Sequence, residues 1–242
     1  MHPLRIVNKG FHYAQDGPGN RLVFHLFGCN LFCPWCANPE TLFESAISYE
    51  VMPEEVLRQA LSARAVMIDS GGVTFTGGEP TVQMPALIET LSLLRENDFH
   101  TVIQTNGTSS DLAELFPLLS LLIIDFKHYD DDKHIAATGG SNAQVIKNIQ
   151  TVSRFGIPVW VRTPLINGFN ADVKDIEGFL NFYVSLDQEF LSYELLSYHE
   201  YGKDKWKSLG HKYRISDGEV SPSIVKRFDE AYHTAGLRVI RT

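Results

Sequence analysis

Along the 242 residues, short runs rich in Val, Ile, Thr, Tyr and Phe alternate with longer segments whose apolar side chains recur every three or four positions. The short runs lie at 21–28, 72–77, 100–106, 121–127, 158–165 and 190–198, with 237–242 as a seventh candidate. Several are almost continuously apolar, as expected of strands covered on both faces of a parallel sheet. The helical patterns between them fall at 53–64, 84–97, 112–119, 142–156 and 173–186. The first starts with Pro and two acids, and segments ending in Asn or Gly follow the terminus rules for helices. Six strand–helix units predict an α/β fold: a full or partial parallel barrel, or a doubly wound sheet. In either, chemistry gathers at the C-terminal ends of the strands.

That rule sorts the unusual polar groups. GCNLFCPWCANPE follows the first strand, GGEP (77–80) the second, and QTNG (104–107) ends the third. DFK (125–127) ends the fourth, Arg162 lies within the fifth, and SYHE (197–200) ends the sixth. All fall on one predicted rim.

Composition narrows the class. With 44% hydrophobic and 21% charged residues the chain reads as an ordinary globular protein. A net charge of −8 with no basic block argues against a broad nucleic-acid surface. The N-terminus has no apolar signal core, and the longest apolar run, 116–126, is too short to span a bilayer. A cytoplasmic monomer without membrane partners is the expectation.

Cys29, Cys33 and Cys36 are the only cysteines, all within eight residues. Three thiols cannot all pair within one chain, and thiolates so spaced on one loop can converge on a soft metal centre. A structural zinc would need a fourth ligand, which His25 could supply. A four-iron cluster held by three thiolates would leave one iron open to a non-protein ligand. Inert packing of the thiols is the plainest alternative. The other rim residues also have plain readings. Gly77-Gly78-Glu79 suits a tight turn, Trp35 a hydrophobic plug, Asp125 with Lys127 a salt bridge, and Arg162 an internal ion pair. His199 suits a satisfied core histidine, and DGPG (16–19) a turn. Asp125 and Lys127 alternate with Phe126, so on a strand they share a face.

CNLFCPWC resembles the CxxxCxxC signature of the radical S-adenosylmethionine superfamily. DGPGNR, GGVTFTGGEP, DFK, VWVR and YHEYGKDKWKSLG (198–210) follow in family order over nearly the whole chain. Together they resemble the glycyl-radical-enzyme activating enzymes in their compact, pyruvate formate-lyase-activase form. The resemblance implies a partial parallel (β/α)6 barrel spanning 1–242 as one domain, without an inserted ferredoxin-like domain. It implies that Cys29, Cys33 and Cys36 hold a [4Fe-4S] cluster whose open iron takes the amine and carboxylate of S-adenosylmethionine. It assigns cosubstrate contacts to Trp35, Cys36, Ala37, Gly77, Gly78, Glu79, Gln104, Asp125, Phe126, Lys127, Arg162 and His199. The implied reaction generates a 5′-deoxyadenosyl radical that takes hydrogen from a glycine of a partner glycyl-radical enzyme, with pyruvate formate-lyase as one candidate. Flavodoxin or ferredoxin would supply the electron. A radical S-adenosylmethionine enzyme acting directly on a small molecule or peptide is the alternative.

Two positions depart from the family. Ala37 stands where His is common. Gln104 stands where the compact activases have an Asp that helps bind a monovalent cation beside the cosubstrate carboxylate. An amide oxygen can still coordinate a cation but brings no charge, so the expectation is a weakened or absent cation.

Overall fold

The computed structural model describes residues 2–44 and 47–242. Its sheet runs β3-β1-β2-β4-β5-β6-β7-β8-β9 and does not close. The strands are β1 (Leu4–Tyr13), β2 (Asn20–Leu26), β3 (Tyr49–Val51), β4 (Val73–Gly77), β5 (Thr101–Thr105), β6 (Leu121–Asp125), β7 (Val159–Leu165), β8 (Leu191–Ser197) and β9 (Val239–Ile240). From β2 through β4 to β9 neighbours are parallel, whereas β1 pairs antiparallel with β2 and β3. The architecture is the expected partial α/β barrel. The helices are α1 (Pro53–Ala63), α2 (Met84–Glu96), α3 (Asp131–Thr138), α4 (Ala143–Val152), α5 (Val173–Tyr183), α6 (Lys203–Ser208) and α7 (Pro222–Thr234). Among the described residues no helix is long and apolar enough to cross a membrane.

Strand alternation divides the interior into two environments. Leu22, Phe24, Phe75, Ile103, Leu122, Ile124, Val159, Val161 and Tyr193 belong to the large core, beneath helices such as α2, α4 and α5. Of the residues between them, Val102, Leu121 and Ile123 form a small apolar cluster with Trp160 near the N-terminal ends of their strands. Further along the same face come Gln104 on β5, Asp125 on β6, Arg162 on β7 and Glu194 on β8. The concave side is therefore apolar at its floor and polar at its rim.

The pattern misread several elements. The 112–119 segment is a 3-10 run, Leu112–Leu118, because Pro117 inside it has no N–H to donate. The antiparallel strands β1 and β3, and the helices α3, α6 and α7, were not expected. α7 is mostly exposed and buries only Phe228 and Tyr232, so its apolar signal is faint.

Candidate active site

The cysteine loop leaves the end of β2 and is held from three directions. Phe32 N–H donates to the carbonyl of Thr138 at the end of α3 at 2.8 Å. The turn after β4 binds it on a second side: Gly78 N–H donates to the Leu26 carbonyl at 2.9 Å and Glu79 N–H to the Gly28 carbonyl at 2.7 Å. A Cβ on Gly78 would collide with that Gly28 carbonyl, so the two loops approach at a distance only glycine allows. On the third side stands α6. Trp206 Nε1 donates to the Cys36 carbonyl at 3.0 Å, and Lys205 Nζ reaches Glu40 at 2.7 Å and Asn38 at 3.1 Å. Gly202 abuts the same Cys36 carbonyl, again with no room for a side chain.

These contacts enclose a cavity of about 210 Å³ at the rim. Cys29, Cys33, Cys36, Trp35, Ala37, Gly77, Gly78, Gln104, Asp125, Lys127 and His199 all line it. Glu79, Phe126 and Arg162 do not, and each has a physical reason. Glu79 is fully buried beneath its turn, where it accepts from Thr81 N–H and Oγ1, Thr105 Oγ1 and Asn106 N–H at 2.6–3.0 Å. Burial pushes its carboxyl pKa up against the pull of those donors. Phe126 turns outward into the core, with its ring 4.9 Å from that of Phe182 and 5.7 Å from that of Phe179. Arg162 is buried in an internal ion pair, its Nε 2.5 Å from Glu194 Oε2. Its Nη2 donates to the Gln15 carbonyl at 2.6 Å and its Nη1 to Gln104 Oε1 at 3.2 Å.

Other cavity residues escaped the sequence reading. Asn106 donates to Asn30 Oδ1 at 2.8 Å, with its amide nitrogen 3.9 Å from Cys29 Sγ. It lies inside QTNG, so the strand-end rule could have named it. Leu31, Asn38, Thr76 and Thr105 lie within the same rim motifs, whereas Thr41, Pro164 and Leu196 complete the wall and carry no such signal. The Asp-Gly-Pro-Gly stretch is the turn it resembles, with Gly17 at φ +120° and Gly19 at φ +67°.

Electrostatically the cavity is mixed. The three thiols are free of disulfides. Burial pushes Cys33 and Cys36 up to about 12; Cys29 raises both further, and Cys33 raises Cys36. Such a set favours ionisation only beside a compensating cationic centre. Among the described residues no three His, Cys, Asp or Glu side chains converge on a point where a single metal ion could be held. His25 sits on β2 with its ring 5.5 Å from that of His12, outside the cavity wall. The zinc reading therefore lacks its fourth ligand, whereas thiolates at three corners of a cluster need no common point. Lys127 Nζ lies 2.8 Å from Asp125 Oδ2. Burial disfavours the ammonium, but Asp125 together with Cys33 and Cys29 more than offsets this and raises the Lys127 pKa. Asp125 Oδ1 is buried without a hydrogen-bond partner among the described residues. His199 has a lowered pKa through burial, and its ring stacks 4.2 Å from Tyr201.

Known proteins resemble this chain in sequence and fold. The sequence matches the radical SAM superfamily over residues 23–182. It is 38% identical over 213 residues to a pyruvate formate-lyase-activating enzyme of Staphylococcus aureus, covering 84% of each chain. The fold superposes on a domain of pyruvate-formate lyase-activating enzyme from Bacteroides vulgatus with a TM-score of 0.59 at 28% identity, covering 70% of this chain and 98% of that one. A radical SAM methyltransferase from Sphaerobacter thermophilus shares the fold at TM-score 0.69 and 17% identity, over 95% of this chain and 67% of that one. The chain belongs to the radical SAM superfamily and, within it, to the glycyl-radical-enzyme activases.

Proposed function

We propose that this chain, as one cytoplasmic domain, activates a partner glycyl-radical enzyme, with pyruvate formate-lyase the first candidate, using a [4Fe-4S] cluster and S-adenosylmethionine. The observation that carries the reading is the meeting of three unpaired thiols and the Gly77–Gly78 turn in one cleft. The chain-long likeness to pyruvate formate-lyase-activating enzyme supports a protein substrate over a small one.

The donor set fits such a cluster: three thiols on one loop, no fourth protein thiol, and beside them a cleft that carries the polar groups of Gln104, Asp125 and Lys127. Cys29, Cys33 and Cys36 would hold it. When bound, cluster and cosubstrate supply one-electron cleavage of the S–C5′ bond and a 5′-deoxyadenosyl radical able to take hydrogen from a glycine Cα. The chain's own part is placement and exclusion of water. Gly77 and Gly78 let backbone carbonyls approach an ammonium group. Trp35, packed 4.8 Å from the Phe169 ring, Ala37 and His199 line the cleft where the nucleoside would sit. Asp125 Oδ1, buried and without a partner among the described residues, would accept from a hydroxyl or ammonium, while Lys127 Nζ holds the other carboxylate oxygen at 2.8 Å. The sheet stays open between its edge strands β3 and β9, so a peptide segment of a partner can approach the concave face from the side. Flavodoxin or ferredoxin fits as the electron source.

The test is to mix the anaerobically reconstituted protein, S-adenosylmethionine and a reductant with candidate glycyl-radical enzymes and record electron paramagnetic resonance. A glycyl radical on one of them is expected. Cosubstrate turnover coupled to a small molecule, with no radical on any protein, would overturn the reading.

A further inference from the structure

Gln104 faces the cleft from the end of β5, beside Asp125 on β6. Its side-chain oxygen accepts from Arg162 Nη1 at 3.2 Å. Arg162 has no freedom to turn away, because Glu194 holds its Nε at 2.5 Å and the Gln15 carbonyl its Nη2 at 2.6 Å. A guanidinium carries donors and no acceptor, so the orientation of the amide follows from chemistry: Oε1 must point to Arg162. The Nε2 group then points the other way, and among the described residues it has no hydrogen-bond partner. Its two N–H bonds are an open donor pair in the cleft wall. The other cationic donor of the wall, Lys127, is already engaged by Asp125 at 2.8 Å.

We propose that the Gln104 amide binds the carboxylate of the amino-acid end of the cosubstrate directly, by N–H donation, with no intervening metal cation. This rests on the reading that the cleft takes S-adenosylmethionine. Arg162 acts behind Gln104 as a positioning residue: it fixes the amide orientation and polarises it toward stronger donation. The same contact disfavours a potassium or sodium ion at this point, because Gln104 Oε1 already accepts from the guanidinium and a neutral amide brings no charge to draw the ion. Where an acidic residue with a bound cation could present positive charge to a carboxylate, this chain presents a neutral donor backed by a buried arginine.

The experiment is calorimetric binding to the anaerobic, cluster-loaded protein, with iron and sulfide content confirmed for each variant. The ligands are S-adenosylmethionine and its decarboxylated analogue, each measured in potassium and in tetramethylammonium at one ionic strength. Gln104→Ala is expected to weaken S-adenosylmethionine about tenfold and to leave the decarboxylated analogue within about twofold. The unmodified protein should bind equally in both salts. Gln104→Glu, equal in size, should bind poorly in tetramethylammonium and recover in potassium, since it turns a donor into an anion that needs a bridging cation. Equal loss of both ligands in Gln104→Ala, or potassium dependence in the unmodified protein, would overturn the proposal while leaving the cosubstrate reading intact. No binding of S-adenosylmethionine to the unmodified protein would overturn both.

Discussion

The indole N–H of Trp206 donates to the Cys36 carbonyl, and Trp206 is 1% exposed. A single residue 170 positions away thus fixes the backbone from which the third thiol projects. Around it Phe32 and Phe43 pack edge-on at 5.5 and 5.8 Å, and His211 stacks on Phe43 at 3.8 Å. Trp206→Phe keeps most of the ring and removes the donor. It should cost about 1–2 kcal/mol in denaturant unfolding and speed iron loss to a chelator. Iron retention equal to the unmodified protein would show that the ring alone secures the loop. The thiols themselves have no understudy, since the chain holds no other cysteine. Replacing Cys29, Cys33 or Cys36 singly with Ala should give protein without a full complement of iron and sulfide and without cosubstrate cleavage. A variant with both intact would remove that cysteine from the ligand set.

At the scale of elements, the turn between β1 and β2 shows how a buried charge can serve structure. Arg21 is fully buried and donates to Thr74 Oγ1 and to the carbonyls of Pro18, Ser70, Val73 and His100 at 2.7–3.4 Å. It ties the turn to the start of β4 and to the residue before β5. Arg21→Met leaves those carbonyls buried and unpaired, and about 2–4 kcal/mol of stability should be lost. Arg21→Lys should recover little of it, because an ammonium cannot span the same acceptors. The same turn carries a pH-dependent pair, His12 Nδ1 and Asp16 Oδ2 at 2.5 Å. The bond to Asp16 raises the His12 pKa above its ordinary 6.5. Burial alone would raise Asp16, but the His12 bond, together with the charges of His12, Arg162 and His25, lowers it below its ordinary 3.8. The pair therefore stabilises the fold between those two pKa values and stops doing so as pH rises through that of His12. His12→Asn should be less stable than the unmodified protein near pH 6, by at most about 1 kcal/mol because His12 is largely solvent-screened. The difference should close as pH rises above the raised His12 pKa in paired denaturation curves. A constant difference across that range would assign His12 a packing role only.

The elements also show what could be read in advance. The windows for β2 and β4 to β8 fell within a few residues of the observed strands because both faces of those strands are covered, and continuous apolar runs announce that. Alternation likewise put Asp125 and Lys127 on one face and sent Phe126 to the core side, although the family likeness had counted Phe126 as a contact. Arg162 shows where the method stops. The strand pattern placed it on the rim, but its partner Glu194 is 32 residues on, and only the β7–β8 register brings the two side by side. β1 escaped notice because half of it is exposed and Gly10 interrupts it.

Across the whole molecule the charge is unevenly distributed. The chain carries a net −8, yet residues 203–214 contain Lys203, Lys205, Lys207, Lys212 and Arg214 against Asp204 alone. Lys203 and Lys205 pair with Glu200 and Glu40, which leaves Lys207, Lys212 and Arg214 exposed without an ion pair among the described residues. Arg214 stands 5.6 Å over the ring of Phe32, the neighbour of Cys33, and α6 backs Cys36. Here a basic surface meets the back of the cysteine loop. An acidic carrier would be repelled by most of the molecule and steered here. Changing Lys207, Lys212 and Arg214 together to Glu should slow reduction by flavodoxin about tenfold or more at low salt and flatten its ionic-strength dependence. Reduction by dithionite, a small reagent, should be little changed and serves as the control for cluster integrity. Stopped-flow traces of cluster bleaching would distinguish the two reductants. An unaltered flavodoxin rate would mean that the electron enters through another face, most simply across the open concave side where the partner's peptide is also expected to approach.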